Sequence, residues 1–236
     1  MGTGLDILTF GLAWYVVFLI SLTAHEAAHA LAALRLGDRT AYHGGQVTLD
    51  PVPHIRREPF GMVVVPIISY LLGGWMMGWA SCPYDPLWAG RYPKRAALMG
   101  LAGPAANLVL VLFAAVCIHV GTIAGLFYAP ERVGFTTVVA SNYDGLANGL
   151  AILVSILFSL NLALFVFNLL PLPPLDGTGA MELVLKGDAL NAYRQFTWHP
   201  SARVIGVIVA WTLFDVVFPP LHVIALNLLY PGAGYQ

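Results

Sequence analysis

The chain has 236 residues, of which 58% are hydrophobic and only 10% charged, and its mean hydropathy is +0.77. A soluble globular domain carries about 25% charged residues, so an ordinary water-exposed surface is excluded; so is disorder, which needs low hydrophobicity and high net charge. Eleven basic against twelve acidic residues leave a net charge of −1, which gives no case for a nucleic-acid partner, and two cysteines, Cys82 and Cys117, make neither a disulfide framework nor a zinc–cysteine cluster.

The composition is that of an integral membrane protein embedded in a lipid bilayer. A spanning helix needs about 20 mostly apolar residues. The first such stretch is Ile7 to Thr23, which is closed by His25, Glu26 and His29 and runs on to Leu34. Ahead of it, Met1 to Asp6 holds no basic residue, so the positive leading region of a cleaved signal peptide is missing. The second stretch, Phe60 to Ala80, is interrupted by Pro66, Gly73 and Gly74. The third, Ala96 to Pro130, contains no Asp, Glu, Lys or Arg and is long enough to cross once with tilt. The fourth, Gly145 to Leu170, ends in Pro171, Pro173 and Pro174; the fifth, Val204 to Tyr230, carries Asp215.

Basic residues set the orientation. If all five stretches crossed, the richest basic clusters would face opposite sides. If Phe60–Ala80 dips in and returns, ten of the eleven basic residues share one face and only Arg132 lies opposite. A mid-segment proline and glycine pair suits such a broken path buried against protein. The expected fold is therefore an all-α polytopic helix bundle with four crossings and one re-entrant or broken segment, five to six spans being the alternative, and a small β element after the first helix. One membrane-embedded domain covers residues 1–236, with its core over 7–180 and a C-terminal helix over 204–230.

His25-Glu26-Ala27-Ala28-His29 is an H-E-x-x-H sequence on an expected helix. Histidines at i and i+4 lie one turn apart on one face, so both imidazoles can reach one zinc ion, and Glu26 beside them can accept a proton from the water the metal activates. His25 lies ten residues before Arg35, roughly 15 Å up a helix that rises 1.5 Å per residue. An ionisable group near the centre of a membrane helix costs about 2.5 kcal/mol or more, so three of them at that depth point to function rather than to a solvated helix end. A catalytic zinc takes three protein ligands and keeps one open position. Asp176 is the candidate third ligand. It closes Asn168-Leu-Leu-Pro171-Leu-Pro173-Pro174-Leu-Asp176-Gly177, whose prolines deny the backbone a regular helix and leave an extended path able to return a carboxylate to the metal. With four crossings, the first and fourth stretches run in the same direction and put both halves of the site at the same end.

This combination resembles the site-2 proteases, the zinc intramembrane metalloproteases, and among them the small prokaryotic branch without PDZ or CBS domains. The matching segments are His25–His29, Gly45-Gln-Val-Thr-Leu-Asp-Pro-Val-Pro-His54, Gly78-Trp79-Ala80, Ala102-Gly-Pro-Ala-Ala-Asn107 and Asn168–Gly177. The chain departs from relatives at Ser81-Cys82-Pro83-Tyr84-Asp85, where they carry a Lys-Pro-Val-Pro-Val-like run. The resemblance implies one zinc per chain on His25, His29 and Asp176, with Glu26 as the catalytic base. It places Asn168 near the metal, able to donate a hydrogen bond to substrate or to a developing oxyanion. Gly103 is expected to serve helix packing and Asn107 to face the site.

The implied reaction is hydrolysis of a peptide bond within or near the transmembrane segment of a single-span membrane protein. The implied location is a prokaryotic cell membrane with the active site toward the cytoplasm. A helical substrate must unwind first, and Gln46-Val47-Thr48-Leu49, of strand-like composition, is the candidate edge to receive it. A zinc transporter or sensor, or an inactive substrate-binding scaffold, are the alternatives. Ligands gathered at one depth argue against transport, and the intact Glu26 argues against an inactive scaffold. His54 and His43 have no spacing tying them to the metal, and His119 reads as a helix-contact residue. Asp215 and His222 share a face and fit either a buried pair or two broken shorter segments.

Overall fold

The computed structural model describes residues 4–236; Met1–Thr3, part of the leading segment read above for a signal peptide, lie outside the described residues. In chain order the elements are α1 (Gly4–Leu36), α2 (Thr40–His43), α3 (Pro51–Arg57), a π-helical turn (Phe60–Val64), α4 (Val65–Gly73), α5 (Pro86–Arg91) and α6 (Pro93–Ile123). Then follow β1 (Phe127–Tyr128), β2 (Ala140–Ser141), α7 (Leu146–Asn168), α8 (Gly177–Val184), α9 (Gly187–Trp198) and α10 (Ala202–Leu229). By length and composition α1, α6, α7 and α10 can each cross a membrane. Their outward faces are apolar: Leu8, Leu12, Val16 and Ile20 form an exposed stripe on α1, and Leu112, Val116, Val120 and Ile123 one on α6. In water such stripes would be a liability, whereas a bilayer is their solvent.

The four helices alternate in direction. At one end, Arg95 Nη1 at the start of α6 donates to Leu36 O at the end of α1 (3.1 Å), and Gly206 near the start of α10 packs directly on Pro173 O after α7. At the other end, Tyr230 Oη closing α10 donates to Val138 O in the connection between α6 and α7 (3.1 Å). Helix α7 is the centre of the bundle. Its Phe158, Leu162 and Val166 join Val111, Ala114 and Ile118 of α6 in one apolar cluster, while its Ile156 and Leu160 pack with Trp14, Val17 and Phe18 of α1 in another. Helix α10 is attached on one side only, through an aromatic stripe: Phe214 stacks on Phe218 (4.8 Å between centroids), and Trp211 and Phe214 both meet Phe167 of α7 (5.0 and 5.5 Å).

The second hydrophobic stretch re-enters. Pro66 has no N–H to donate, and the turn before it is widened to a π-helix. Helix α4 ends at Gly74, whose positive φ (73°) allows the reversal, and its N–H donates to Tyr70 O. The chain then returns along its own outward limb: Met77 N donates to Ser69 Oγ (3.0 Å) and Trp79 N to Gly61 O (3.2 Å). Residues 61 and 79 are thus neighbours, so the segment begins and ends at one level, and ten of the eleven basic residues fall at the end where α1 and α7 finish. Asp38 ties this end together, accepting from Thr40 N and Oγ1 and, across 47 residues, from Asp85 N (2.9 Å). Burial pushes its carboxyl up, but these hydrogen bonds outweigh it and hold it below the usual carboxylate range.

Four expectations are corrected. The small β element lies not after the first helix but between α6 and α7, where Phe127 pairs Ser141 and Tyr128 pairs Ala140 in an antiparallel bridge. Gln46–Leu49 forms no strand, because the Gly44–Gly45 turn and the Asp50-capped start of α3 confine it to four bent residues with no ladder partner. Asp215 and His222 do not pair, and the last helix is not split. Helix α10 continues through Pro219 and Pro220, Asp215 is exposed, and His222 Nε2 meets Ser159 Oγ at 3.1 Å. His119 also points outward rather than into a helix contact.

Gly61 and Gly78 hold the two limbs of the re-entrant segment in backbone contact: a Cβ on Gly61 would sit 2.2 Å from Trp79 O, and one on Gly78 2.2 Å from Gly61 O. Gly61→Ala should therefore lower stability by about 1–3 kcal/mol, the usual cost of overpacking. A thermal melt in detergent checks this, and an unchanged midpoint would refute the packing argument.

Candidate metal centre

Helix α1 presents His25 and His29 on one face, one turn apart, and both are buried (6% and 5% exposed). The chain leaves α7 at Asn168, and its prolines carry it to Asp176 without regular helix. There Asp176 Oδ2 approaches His25 Nε2 at 3.1 Å and His29 Nε2 at 3.3 Å, while the two Nε2 atoms lie 3.0 Å apart. Ligands 2.0–2.1 Å from a tetrahedral zinc are separated by about 3.3–3.4 Å, so the three atoms already stand near the corners such an ion requires.

Hydrogen bonding at the outer edges of the rings explains why they stand there. His29 Nδ1 lies 2.8 Å from Met99 O, an acceptor only, so Nδ1 carries the hydrogen and donates. His25 Nδ1 lies 2.6 Å from Asn107 Oδ1 and donates likewise. In neutral rings both Nε2 atoms then present lone pairs inward, toward Asp176 Oδ2. Three converging lone pairs repel one another unless a cation sits among them, and two imidazoles with one carboxylate are a donor set that suits zinc.

Helix α6 makes the room. A Cβ on Gly103 would stand 2.3 Å from His29 Nε2 and 2.5 Å from His25 Nε2, within the space the donors enclose. Gly103 is therefore more than a packing residue. Asn107 is fully buried and engaged at both ends: beyond His25, its Nδ2 donates to Asn161 Oδ1 of α7 (2.8 Å), and Asn161 Nδ2 donates to Ser21 Oγ of α1 (2.8 Å). It reaches the site through His25. Sequence reasoning passed over Asn161 and Ser21, although both carried a signal. Ser21 lies one turn before His25, and Asn161 two turns before Asn168 in an otherwise apolar helix.

Glu26 is 5% exposed, and its Oε2 has no hydrogen-bond partner among the described residues. Asn168, expected near the metal, donates its Nδ2 to Leu164 O of its own helix (3.0 Å). In the Gln46–Leu49 segment Gln46 is buried, Val47 and Thr48 are half-buried, and Leu49 is exposed. Thr48 O lies 3.1 Å from Nε2 of the buried His54, which braces the segment from α3, whereas His43 is exposed. The thiol of Cys82, in the run where the sequence departs from its resembled family, is pushed up to about 12 by burial.

The fold is a four-helix antiparallel bundle of membrane-spanning length that encloses a candidate metal centre of two histidines and one carboxylate. Comparison with known proteins gives the particular family: residues 13–210 match the model of peptidase family M50, and the chain belongs to that family, the site-2 proteases. It is 33% identical over 174 residues to YwhC of Bacillus subtilis, covering 71% of this chain and 66% of that protein. It is 32% identical over 175 residues to Rip2 of Mycobacterium tuberculosis and 31% over 178 residues to Rip2 of Mycolicibacterium smegmatis, covering 74% of this chain and 58% of each relative. All three relatives are named as zinc metalloproteases. The chain thus spans 58–66% of the length of these relatives. No solved structure matches it significantly.

Because the Gly103 Cα faces the two Nε2 atoms, Gly103→Ala should weaken zinc binding by about 10–100-fold, as loss of a ligand's support does. Competition against a fluorescent chelator would measure it, and wild-type affinity in the variant would show that the donors do not enclose the ion.

Proposed function

We propose that the protein is a zinc-dependent intramembrane endopeptidase that hydrolyses peptide bonds within or near the transmembrane segment of a single-span membrane protein. The observation that carries this reading is the convergence of two imidazole nitrogens and a carboxylate oxygen beside buried Glu26, whose Oε2 has no hydrogen-bond partner among the described residues. One zinc ion per chain, on His25, His29 and Asp176, would supply a Lewis acid that polarises the scissile carbonyl and acidifies water.

The protein's own groups do the rest. His25 and His29 are oriented by Asn107 and Met99 O, so neither ring has to reorganise when charge develops. Glu26 takes the proton of the attacking water at its free Oε2 and returns it to the departing amine. Asn168 is the second candidate contact for a developing oxyanion, but its amide must first leave Leu164 O, so its contribution is the smaller one. The substrate, unwound from its helix, is proposed to lie against Val47–Leu49, the part of the expected edge left open once Gln46 is buried.

The site lies at the end of the bundle that holds ten of the eleven basic residues, which supports a cytoplasmic-facing centre in a prokaryotic cell membrane. A transporter or sensor would not need Glu26, and its ligands would follow a path across the bundle, whereas the three-residue cluster among the described residues sits at one level.

The test is Glu26→Gln in the purified full chain with a panel of single-span substrates in liposomes. Turnover should fall by about 10²–10⁴-fold, the usual share of a general acid–base group, with the zinc content unchanged. Turnover at the wild-type rate would overturn the mechanism. In the wild-type protein a strong chelator should abolish cleavage and added zinc restore it; cleavage that persists in metal-free protein would remove zinc from the assignment.

A further inference from the structure

The three proposed ligands are not supported alike. Each histidine has a hydrogen-bond partner on its outer nitrogen, whereas among the described residues Asp176 Oδ2 meets the two imidazoles and no other side chain that would orient it. Its aim is therefore set by its backbone, and its backbone belongs to a proline-interrupted loop with few bonds of its own. Leu172 N donates to Leu170 O, Leu175 N to Leu172 O and Thr178 N to Leu175 O, all short-range turns that fix local shape without fixing the loop against the bundle. What reaches across it comes from α9. Tyr193 Oη lies 3.0 Å from Pro171 O and 3.3 Å from Thr178 O, so the single phenolic hydrogen is shared between carbonyls on either side of Asp176. Helix α9 is itself fastened to α8 by the Arg194–Glu182 pair, in which Nε donates to Oε1 (2.8 Å) and Nη2 to Oε2. Burial pushes the Tyr193 phenol up, which keeps it a donor.

We propose that Tyr193 is a positioning residue for the metal centre, clamping the loop from Pro171 to Thr178 so that the Asp176 carboxylate meets the imidazole pair. This rests on the proposed zinc site and adds to it a support that none of the sequence motifs contains. It gives α9, outside the crossings, a direct mechanical link to the proposed metal site: a displacement of α9 bears on the one proposed ligand whose side chain has no outer hydrogen-bond partner to orient it. Elsewhere the loop rests on close packing, of Gly206 on Pro173 O and of Gly177 on Leu169 O, whereas Tyr193 supplies the side-chain hydrogen that joins its two ends.

The experiment compares wild-type protein and Tyr193→Phe, full-length and in detergent, for zinc affinity by chelator competition and for the thermal midpoint of the metal-free form. Tyr193→Phe keeps the ring and removes the shared hydrogen. Zinc affinity should fall about tenfold, the lower end of what loss of a ligand's support costs, while the metal-free midpoint stays at the wild-type value. A merely structural tyrosine would do the reverse, lowering the metal-free midpoint and leaving affinity intact; that result overturns the clamp. Should Tyr193→Phe yield no folded protein, Arg194→Gln decides, since it frees α9 from Glu182 and leaves the phenol. Weaker zinc binding with an unchanged metal-free midpoint supports the clamp, and wild-type affinity overturns it. If wild-type protein itself binds no zinc, the metalloprotease reading falls and the clamp with it; if only the variants bind like wild type, the clamp alone falls.

Discussion

Everything in this bundle is subordinate to one electrostatic problem: three lone pairs from distant parts of the chain meet within 3.3 Å of one another, below the surface of an apolar scaffold. Such a cluster is repulsive when empty, and in a medium of low polarity it cannot be relieved by bulk water. The surrounding structure removes the usual escapes. Asn107 and Met99 O occupy the outer nitrogens, so the rings cannot turn their lone pairs away without breaking a buried hydrogen bond. The missing side chain at Gly103 leaves a space on the remaining side, and that space is bounded by donors.

The polar chain behind His25 shows how the bundle tolerates this. Asn107, Asn161 and Ser21 are wholly buried and contributed by three different crossings, yet each passes a hydrogen bond to the next, and the chain ends on Val17 O. A partly satisfied network in this position would cost more than an apolar core, whereas a complete one fixes the register of α1, α6 and α7 with respect to the metal ligands. The apolar clusters on either side of α7 supply bulk cohesion without choosing a register. The outer helix α10, held by flat aromatic faces, shares little in this specification.

Much of the architecture was legible because membrane composition leaves few choices. Four long apolar runs are each fit to cross, and Pro66 with Gly73 and Gly74 marked the segment that turns back. The candidate metal ligands stood out in the sequence because an ionisable group is costly there and H-E-x-x-H places two histidines on one helical face. What the sequence concealed was three-dimensional contact. Nothing in composition says that Gly103 faces imidazoles, that Asn107 serves His25, or that a tyrosine fifteen residues past Thr178 returns to it. The strand expected at Gln46–Leu49 failed because β-propensity describes a residue's fit to a neighbouring strand, and no neighbour is present. The bridge that does form, at Phe127 and Ala140, is too short to leave a periodic signal.

The spacing of the ligands along the chain bears on biogenesis. His25 and His29 emerge early, but Asp176 is made only when about three quarters of the 236 residues have been synthesised, and Gly103 and Asn107 come between. A nascent chain therefore offers an incomplete chelate until the third of its crossings has been inserted beside the other two. On the proposed ligand set, metal capture would be a late event in maturation, and a chain released before α7 and its proline loop would leave the ribosome with paired imidazoles and no third ligand.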